Sequence, residues 1–123
     1  MKNYDKSLFY HNKDLTISLD LFGPDHPNIA EAYEDIGMIY YEMDDYEKGL
    51  QFLNKSLHLF QKIYGPENTE IANVYLNTGI IYEAMDKKKE AKRNYKNAYS
   101  IFKKVLGNNH HRTENAKAAL KFK

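Results

Sequence analysis

Residues 28–43 read NIAEAYEDIGMIYYEM, and residues 70–85 read EIANVYLNTGIIYEAM. A shift of 42 residues superimposes the two stretches without a gap. The residues that coincide are Ile29 with Ile71, Ala30 with Ala72, Tyr33 with Tyr75, Gly37 with Gly79 and Tyr40 with Tyr82. An internal repeat of this length is typical of proteins built from stacked helical units.

The repeat extends outward from these two stretches in both directions. The same shift places LFGP at 21–24 over IYGP at 63–66 and VLGN at 105–108. It also aligns YDKSL at 4–8 with YEKGL at 46–50. Glycine adopts the left-handed conformation that ends a helix, and proline cannot continue one, so the Gly-Pro sites predict helix ends. Each period therefore contains two helices separated by short breaks.

Apolar residues confirm the helical period within each unit. Ile29, Tyr33, Ile36, Tyr40 and Met43 recur at steps of three and four, which is one face of a helix. A second helix begins at Tyr46 and runs to about residue 63. The sequence predicts an all-α fold, an antiparallel helix-hairpin solenoid of about six helices. One array spans 1–123: the second helix of an incomplete unit at 1–22, complete units at 28–64 and 70–106, and a terminal capping helix at 112–123.

Two glycines in mid-helix indicate close helix packing. Gly37 and Gly79 each cost about 1 kcal/mol relative to alanine in a helix, so a packing reason is expected. Tyr40 and Tyr82 follow three residues later, and we expect them to cover the glycines.

Composition restricts the function classes. The chain has no cysteine, which excludes disulfides and thiolate zinc sites. No apolar run approaches the roughly 18 residues of a membrane helix, and we expect a cytoplasmic location with no membrane partner. Net charge is +1, but residues 1–85 carry −8 and residues 86–123 carry +9. The basic part lacks aromatic stacking patterns and groove-reading motifs, so nucleic acid is not an expected partner.

These residues carry a family resemblance. Ile36-Gly37-x-x-Tyr40 and Thr78-Gly79-x-x-Tyr82 resemble the Leu-Gly-x-x-Tyr core of the tetratricopeptide repeat (TPR). The usual TPR period is about 34 residues. The longer unit here, with GPDHPNIA at 23–30 joining the helices, resembles the repeats of kinesin light chains and their relatives. The resemblance implies a protein–protein interaction scaffold or adaptor and no enzymatic activity.

The resemblance also implies a partner-binding groove lined by first helices. The residues it assigns to the concave surface are Glu31, Glu34, Asp35, Met38, Tyr41 and Glu42 in the first complete unit, and Asn73, Leu76, Asn77, Ile80, Glu83 and Ala84 in the second. The terminal helix adds Asn115, Ala118, Ala119 and Phe122. Periodicity independently directs most of them away from the apolar stripe. The alternative is that they form a solvated helix face with no partner.

The chemistry of this groove favours a basic partner. Asn77 resembles the first-helix Asn that clamps cargo backbone in kinesin light chains, but the first unit has Asp35, which cannot donate when ionised. Four carboxylates, those of Glu31, Glu34, Asp35 and Glu42, are expected to repel acidic peptides. We expect a peptide or helix with Lys or Arg toward the N-terminal repeat and apolar side chains on Met38, Tyr41, Leu76 and Ile80.

The order of the helices leaves an alternative function open. The sequence opens on a second helix without its first helix, which predicts that Leu8, Leu15 and Leu19 are uncovered. Either the chain is a fragment of a longer array, or something docks there. The alternative to the adaptor is a structural module that self-associates end to end through its terminal helices, helped by the opposite charges of its two parts.

Catalytic and metal sites are not expected. Glu31 and Asp35 lie four apart on one helix face, but an open groove offers no pocket that shifts their pKa values for acid–base work. Adjacent histidines such as His110 and His111 rarely share one metal ion, and no third ligand has suitable spacing. Glycine-rich phosphate loops and nucleophile elbows are absent from the sequence. We therefore expect no cofactor and no small-molecule substrate.

Overall fold

The computed structural model describes residues 3–121 and consists of six α-helices, with no strand within that range. They are α1 (Tyr4–Phe22), α2 (Pro27–Glu42), α3 (Tyr46–Tyr64), α4 (Thr69–Ala84), α5 (Lys88–Leu106) and α6 (His111–Ala119). The predicted all-α fold with helix hairpins is confirmed. The division into complete units at 28–64 and 70–106 stays a prediction.

The helices group into two compact units. The first comprises Met1–Ile63 and holds α1, α2 and nearly all of α3. The second comprises Tyr64–Lys123 and holds α4, α5 and α6. That the whole chain forms one array stays a prediction.

Each first helix begins with the same type of cap. His26, Asn68 and His110 are spaced 42 residues apart, and the side chain of each accepts a hydrogen bond from the backbone N–H two residues later. The distances are 3.1 Å for His26, 2.8 Å for Asn68 and 3.1 Å for His110. These bonds satisfy N–H groups that the first turn of a helix leaves without a partner. His110 thus has a local role as a helix cap.

The helix ends follow the predicted turn chemistry. Gly23, Gly65 and Gly107 have φ angles of 78°, 82° and 87°, the left-handed region that glycine enters without a steric cost. The shorter breaks within each hairpin use aspartate instead. Asp44 and Asp86 have φ angles of 63° and 58°, a conformation that Asp tolerates better than most residues. The same repeat position therefore adopts the same strained turn in both units.

The core of the first unit joins α2 to α3. Ile29, Ile36, Leu53 and Phe60 are buried there. The Ser56 hydroxyl, also buried, donates a 2.7 Å hydrogen bond to the carbonyl oxygen of residue 30. A Cβ atom on Gly37 of α2 would lie 3.0 Å from a backbone carbonyl of α3. The expected close approach of the paired helices at this glycine is thus present.

The core of the second unit repeats this arrangement with a larger side chain. Tyr95 of α5 is buried against Gly79 of α4, where an added Cβ would lie 2.5 Å from the tyrosine ring. At both glycines, the atoms nearest to an added Cβ belong to the second helix of the hairpin. That Tyr40 and Tyr82 cover the glycines stays a prediction.

The last helix is shorter than expected. α6 ends at Ala119, and the backbone N–H of Leu120 closes a tighter turn by bonding the Lys117 carbonyl at 3.2 Å. Thr113 and Ala116 are buried, whereas Arg112, Glu114, Asn115, Lys117 and Ala118 are exposed. Phe122, expected on the groove, lies outside the described residues. The role of α6 as a cap stays a prediction.

Candidate partner-binding faces

In the first unit, the predicted groove residues all retain solvent access. Glu31, Asp35 and Glu42 are exposed, and Glu34, Met38 and Tyr41 are half-buried. The buried residues of α2 are Ile29, Ala30, Ile36 and Gly37. None of the six predicted residues therefore belongs to the core of the unit.

Two of these residues line a cavity that the sequence analysis did not anticipate. It has a volume of about 230 Å³ and lies between α1 and α2. Its polar lining residues are His11, Asp14 and Ser18 of α1 and Asn28, Glu31 and Asp35 of α2. The structure thus brings predicted residues of the first helix together with polar residues of the helix before it.

The sequence analysis did not identify the α1 residues of this cavity, although the repeat alignment contained evidence for them. A shift of 42 residues places His11, Asp14 and Ser18 over Leu53, Ser56 and Phe60, which are buried in α3. Two apolar positions of the complete unit are therefore polar in α1. A hydrogen-bonding or charged partner suits this surface better than an apolar helix.

The electrostatics of the cavity are acidic. The carboxylates of Asp14, Glu31 and Asp35 share it with His11. The pKa of Asp35 is raised from 3.8, mainly because neighbouring atoms remove water from the carboxylate; the charge of Glu31 raises it further, and His11 opposes the rise. The His11 ring is oriented by a 2.8 Å hydrogen bond from Nδ1 to the Ser7 carbonyl. A cation placed beside Asp35 would favour its charged form and lower its pKa.

This cavity is not arranged as a metal site. Among residues 3–121, no three His, Cys, Asp or Glu side chains come together in a way that could hold a metal ion. An organic cation, such as a lysine ammonium or an arginine guanidinium, matches the carboxylates without requiring that geometry.

The predicted face of the second unit has different chemistry. Asn73, Leu76, Asn77 and Ile80 are half-buried, and Glu83 is exposed. The Glu83 carboxylate accepts a 2.6 Å hydrogen bond from the Tyr95 hydroxyl. Glu83 therefore stabilises its own hairpin, a role that the sequence analysis did not assign to it. The first face is mainly acidic, and the second is mainly amide and apolar.

Comparison with known sequences identifies the family. The sequence model described as tetratricopeptide repeat matches residues 1–57 and again residues 29–104, together most of the chain. The chain belongs to the tetratricopeptide-repeat family. No curated protein matches this TPR chain in sequence.

A solved structure shares the fold. The crystal structure of BtubC (BKLC) from P. vanneervenii superimposes on this TPR chain with a TM-score of 0.84 over 95% of its residues, at 20% sequence identity. The chain spans about half of BtubC, 47% of its length. At this identity the likeness shows the fold alone, and it agrees with the repeats of the kinesin-light-chain type predicted from the sequence.

Membership of the TPR family indicates a general role in protein–protein interaction or scaffolding, because the helix hairpins present exposed faces that bind other chains. TPR proteins are typically non-catalytic. None of the helices described between residues 3 and 121 is long and apolar enough to cross a membrane.

Proposed function

We propose that this TPR chain is a cytoplasmic adaptor without catalytic activity, which binds a peptide or helix of another protein through the first-helix face of α2. The segment bound there carries Lys or Arg. The acidic cavity between α1 and α2 is the observation that supports this proposal most directly. Its three carboxylates surround a space of about 230 Å³, and the pKa of Asp35 is raised mainly because neighbouring atoms remove water from the carboxylate.

Apolar residues beside the carboxylates complete the proposed site. Met38 and Tyr41 are half-buried on the same helix, α2. Partly exposed apolar side chains of this kind supply most of the affinity in many interfaces, whereas charges mainly set the encounter rate and the selectivity. We therefore expect an amphipathic segment with a basic residue near its apolar positions.

Catalysis would require a different arrangement. A general acid or base must lie within hydrogen-bond reach of a bound reactant and have a pKa near the working pH. Asp35 and Glu31 are both exposed. The raised pKa of Asp35 arises in an open cavity, where a side chain of a partner protein has direct access.

The test is direct binding of a fluorescent amphipathic peptide that contains leucine and lysine, measured by anisotropy. A matched peptide has every lysine replaced by glutamate. The double variant Glu31→Gln, Asp35→Asn removes two charges without changing the shape of the side chains. It is expected to weaken binding of the lysine peptide by about tenfold, because two partly solvated ion pairs are lost. The control variant Asp5→Asn, Asp20→Asn removes two exposed charges of α1 outside the cavity and is expected to have little effect.

The opposite result would exclude the proposal. Binding of the glutamate peptide in preference to the lysine peptide, or stronger binding after Asp35→Lys, means that α2 does not select a basic segment. Affinity capture from a cell extract with the wild type and with an Asp35→Lys, Asn77→Ala variant then asks which natural partner depends on these faces.

A second candidate function is self-association through the terminal helices, and the surface of α1 favours it. Helix α1 has no buried residue. Leu8 and Leu15 are half-buried and Leu19 is 37% exposed, so the expectation that all three are uncovered was correct only in part. The largest exposed apolar side chains of α1 are instead Phe9, Tyr10, Leu21 and Phe22, followed by Ile17.

This candidate is tested by light scattering across a range of salt and protein concentrations. End-to-end association driven by the acidic and basic parts of the chain weakens as salt rises. Ile17→Glu places a charge among the exposed apolar residues of α1 and is expected to abolish association. A chain that remains monomeric at all concentrations would exclude this candidate and leave the adaptor proposal unaffected.

A further inference from the structure

A second cavity lies in the first unit between α2 and α3 and has a volume of about 380 Å³. Its apolar surface is formed by Pro24, Tyr33 and Leu59, and its basic residues are Lys55, His58 and Lys62. Tyr33 is two residues from both Glu31 and Asp35 and therefore lies about 200° around α2 from each. This cavity is separate from the acidic one and carries the opposite charge.

The basic groups are held at the edge of the cavity by specific contacts. The ammonium of Lys55 lies 5.7 Å from the centre of the Tyr33 ring and 5.1 Å from the centre of the Phe52 ring. The His58 ring is oriented by a 2.9 Å hydrogen bond from Nδ1 to the backbone carbonyl of residue 54, which leaves Nε2 on the other edge of the ring. Lys62 pairs with Asp25 at 2.8 Å.

Comparison with the equivalent residues of the second unit shows which parts of this cavity belong to the repeat and which parts are specific to the first unit. A shift of 42 residues finds Pro66, Tyr75 and Lys104 in place of Pro24, Tyr33 and Lys62. The ion pair is repeated as well, between Lys104 and Glu67 at 2.7 Å. In contrast, Lys55 and His58 are replaced by Asn97 and Ser100. The ring, the proline and the ion pair belong to the repeat, whereas basic residues at positions 55 and 58 occur only in the first of the two complete units. The second unit instead has Lys96 at the position of the lining residue Asn54.

We propose that the cavity between α2 and α3 binds an organic carboxylate whose apolar body is about the size of a benzene ring. The ring packs on Tyr33, Leu59 and Pro24, and the carboxylate is recognised by Lys55 and His58. An ammonium and an imidazolium bind a carboxylate through charge-assisted hydrogen bonds. Because Nδ1 of His58 donates to the carbonyl of residue 54, Nε2 donates to the ligand in the protonated form of the ring. Small-molecule sites commonly combine such an apolar lining with a few placed polar groups, and about 380 Å³ is within their range of sizes.

The experiment uses three probes of one shape on the complete chain: 4-phenylbutyrate, its neutral amide 4-phenylbutanamide, and the cation 4-phenylbutylamine. Binding is followed by ¹H–¹⁵N NMR. We expect 4-phenylbutyrate to bind with millimolar affinity, which is normal for a ligand of this size, and to shift the amide signals of Tyr33, His58 and Leu59. The neutral amide is expected to bind at least about fivefold more weakly because it lacks the charge, and the cation is expected not to bind.

Variants test the role of the two basic groups. The double variant Lys55→Gln, His58→Gln is expected to weaken the binding of 4-phenylbutyrate by about fivefold or more and to leave the weak binding of the neutral amide unchanged. All the altered side chains are exposed, so the fold is expected to survive, and circular dichroism verifies this. The matched control is Lys92→Gln with Lys96→Gln on α5. Asn97→Lys with Ser100→His places both basic groups on the second unit and is expected to create a second site there.

The same chemistry can come from a free aromatic acid or from a protein segment. A blocked phenylalanyl-glutamate dipeptide amide, compared with 4-phenylbutyrate, distinguishes the two sources: selective binding of either probe supports the site and assigns its source. The proposal is overturned if neither anionic probe binds, if the neutral amide binds as tightly as 4-phenylbutyrate, or if the Lys55→Gln, His58→Gln variant retains full affinity.

Discussion

The hydroxyl of Tyr95 donates a 2.6 Å hydrogen bond to Oε1 of Glu83, and the ring of the same tyrosine fills the space beside Gly79. Gly79 and Glu83 are one turn apart on α4 and therefore present adjacent surfaces to α5. A glycine in mid-helix costs helix stability, but here it allows a buried tyrosine to reach an acceptor on the neighbouring helix. The contact joins the two helices of the second hairpin.

Gly79→Ala is expected to destabilise the protein by about 1–3 kcal/mol. Alanine favours the helix by about 1 kcal/mol, but its Cβ would lie 2.5 Å from the Tyr95 ring, and overpacking of this kind costs about 1–3 kcal/mol in addition to the lost hydrogen bond. Urea unfolding followed by circular dichroism measures the change. In a Tyr95→Leu background the same substitution should cost much less, and equal costs in both backgrounds would show that the ring is not the cause.

Tyr95→Phe is expected to reduce the free energy of unfolding by about 1 kcal/mol, the usual contribution of one hydrogen bond. Phenylalanine keeps the buried ring, and the exposed Glu83 carboxylate can be hydrated again. Glu83→Gln provides the comparison, since its amide oxygen still accepts from the tyrosine and the loss should be smaller. A larger effect of Glu83→Gln than of Tyr95→Phe would contradict this account.

Thr113→Val is expected to stabilise the protein by about 1 kcal/mol. Oγ1 of Thr113 is buried and has no hydrogen-bond partner within the described residues, and the equivalent positions 29 and 71 are isoleucine. Valine has nearly the same shape and removes the cost of an unpaired buried hydroxyl. Thr113→Ser keeps the hydroxyl, loses a methyl group and should be less stable than the wild type. Thermal unfolding of both variants measures these changes. A lower melting temperature for Thr113→Val than for the wild type would contradict this account.

Asp35→Asn is expected to increase stability at neutral pH by less than about 1 kcal/mol, because solvent screens an exposed carboxylate. The pKa of Asp35 is higher in the folded protein than its ordinary value of 3.8, so folding favours the protonated form. The wild type therefore loses stability as pH rises from below 3.8 through the folded-state pKa, and the asparagine variant lacks this loss. Unfolding measured from pH 3 to pH 8 should show two curves that coincide at the acid end and separate above it. A constant separation at every pH would point to a cause other than ionisation.

Much of the fold was predictable because its signals are local. Gly23, Gly65 and Gly107 mark helix ends through their own backbone preference, and the apolar stripe from Ile29 to Tyr40 reports the helical period directly. The helix N-caps were harder to predict from the sequence. Asn68 is an ordinary N-cap residue, but histidine is not among the preferred types, and only the repeat spacing relates His26 and His110 to it.

The candidate sites were predictable only in part. Glu31 and Asp35 were named from their helix face, whereas His11, Asp14 and Ser18 were not, although their polar character at positions that are buried in α3 was already present in the repeat alignment. Glu83 was assigned to partner binding without its bond to Tyr95. Neither cavity was anticipated, since each is formed by side chains from two different helices.

The amino-acid sequence by itself determined that this protein is a repeated helix hairpin, where the first five helices begin and end, and which of its residues face away from the apolar stripe. These properties depend on neighbours within one or two turns, so they can be read along the chain. The tertiary structure alone decided which charged, polar and aromatic side chains from different helices meet. His11 is 24 residues from Asp35, and Lys55 is 22 residues from Tyr33. Such pairs come together only when separate helices pack. Small differences in that packing decide whether a cavity remains between the helices.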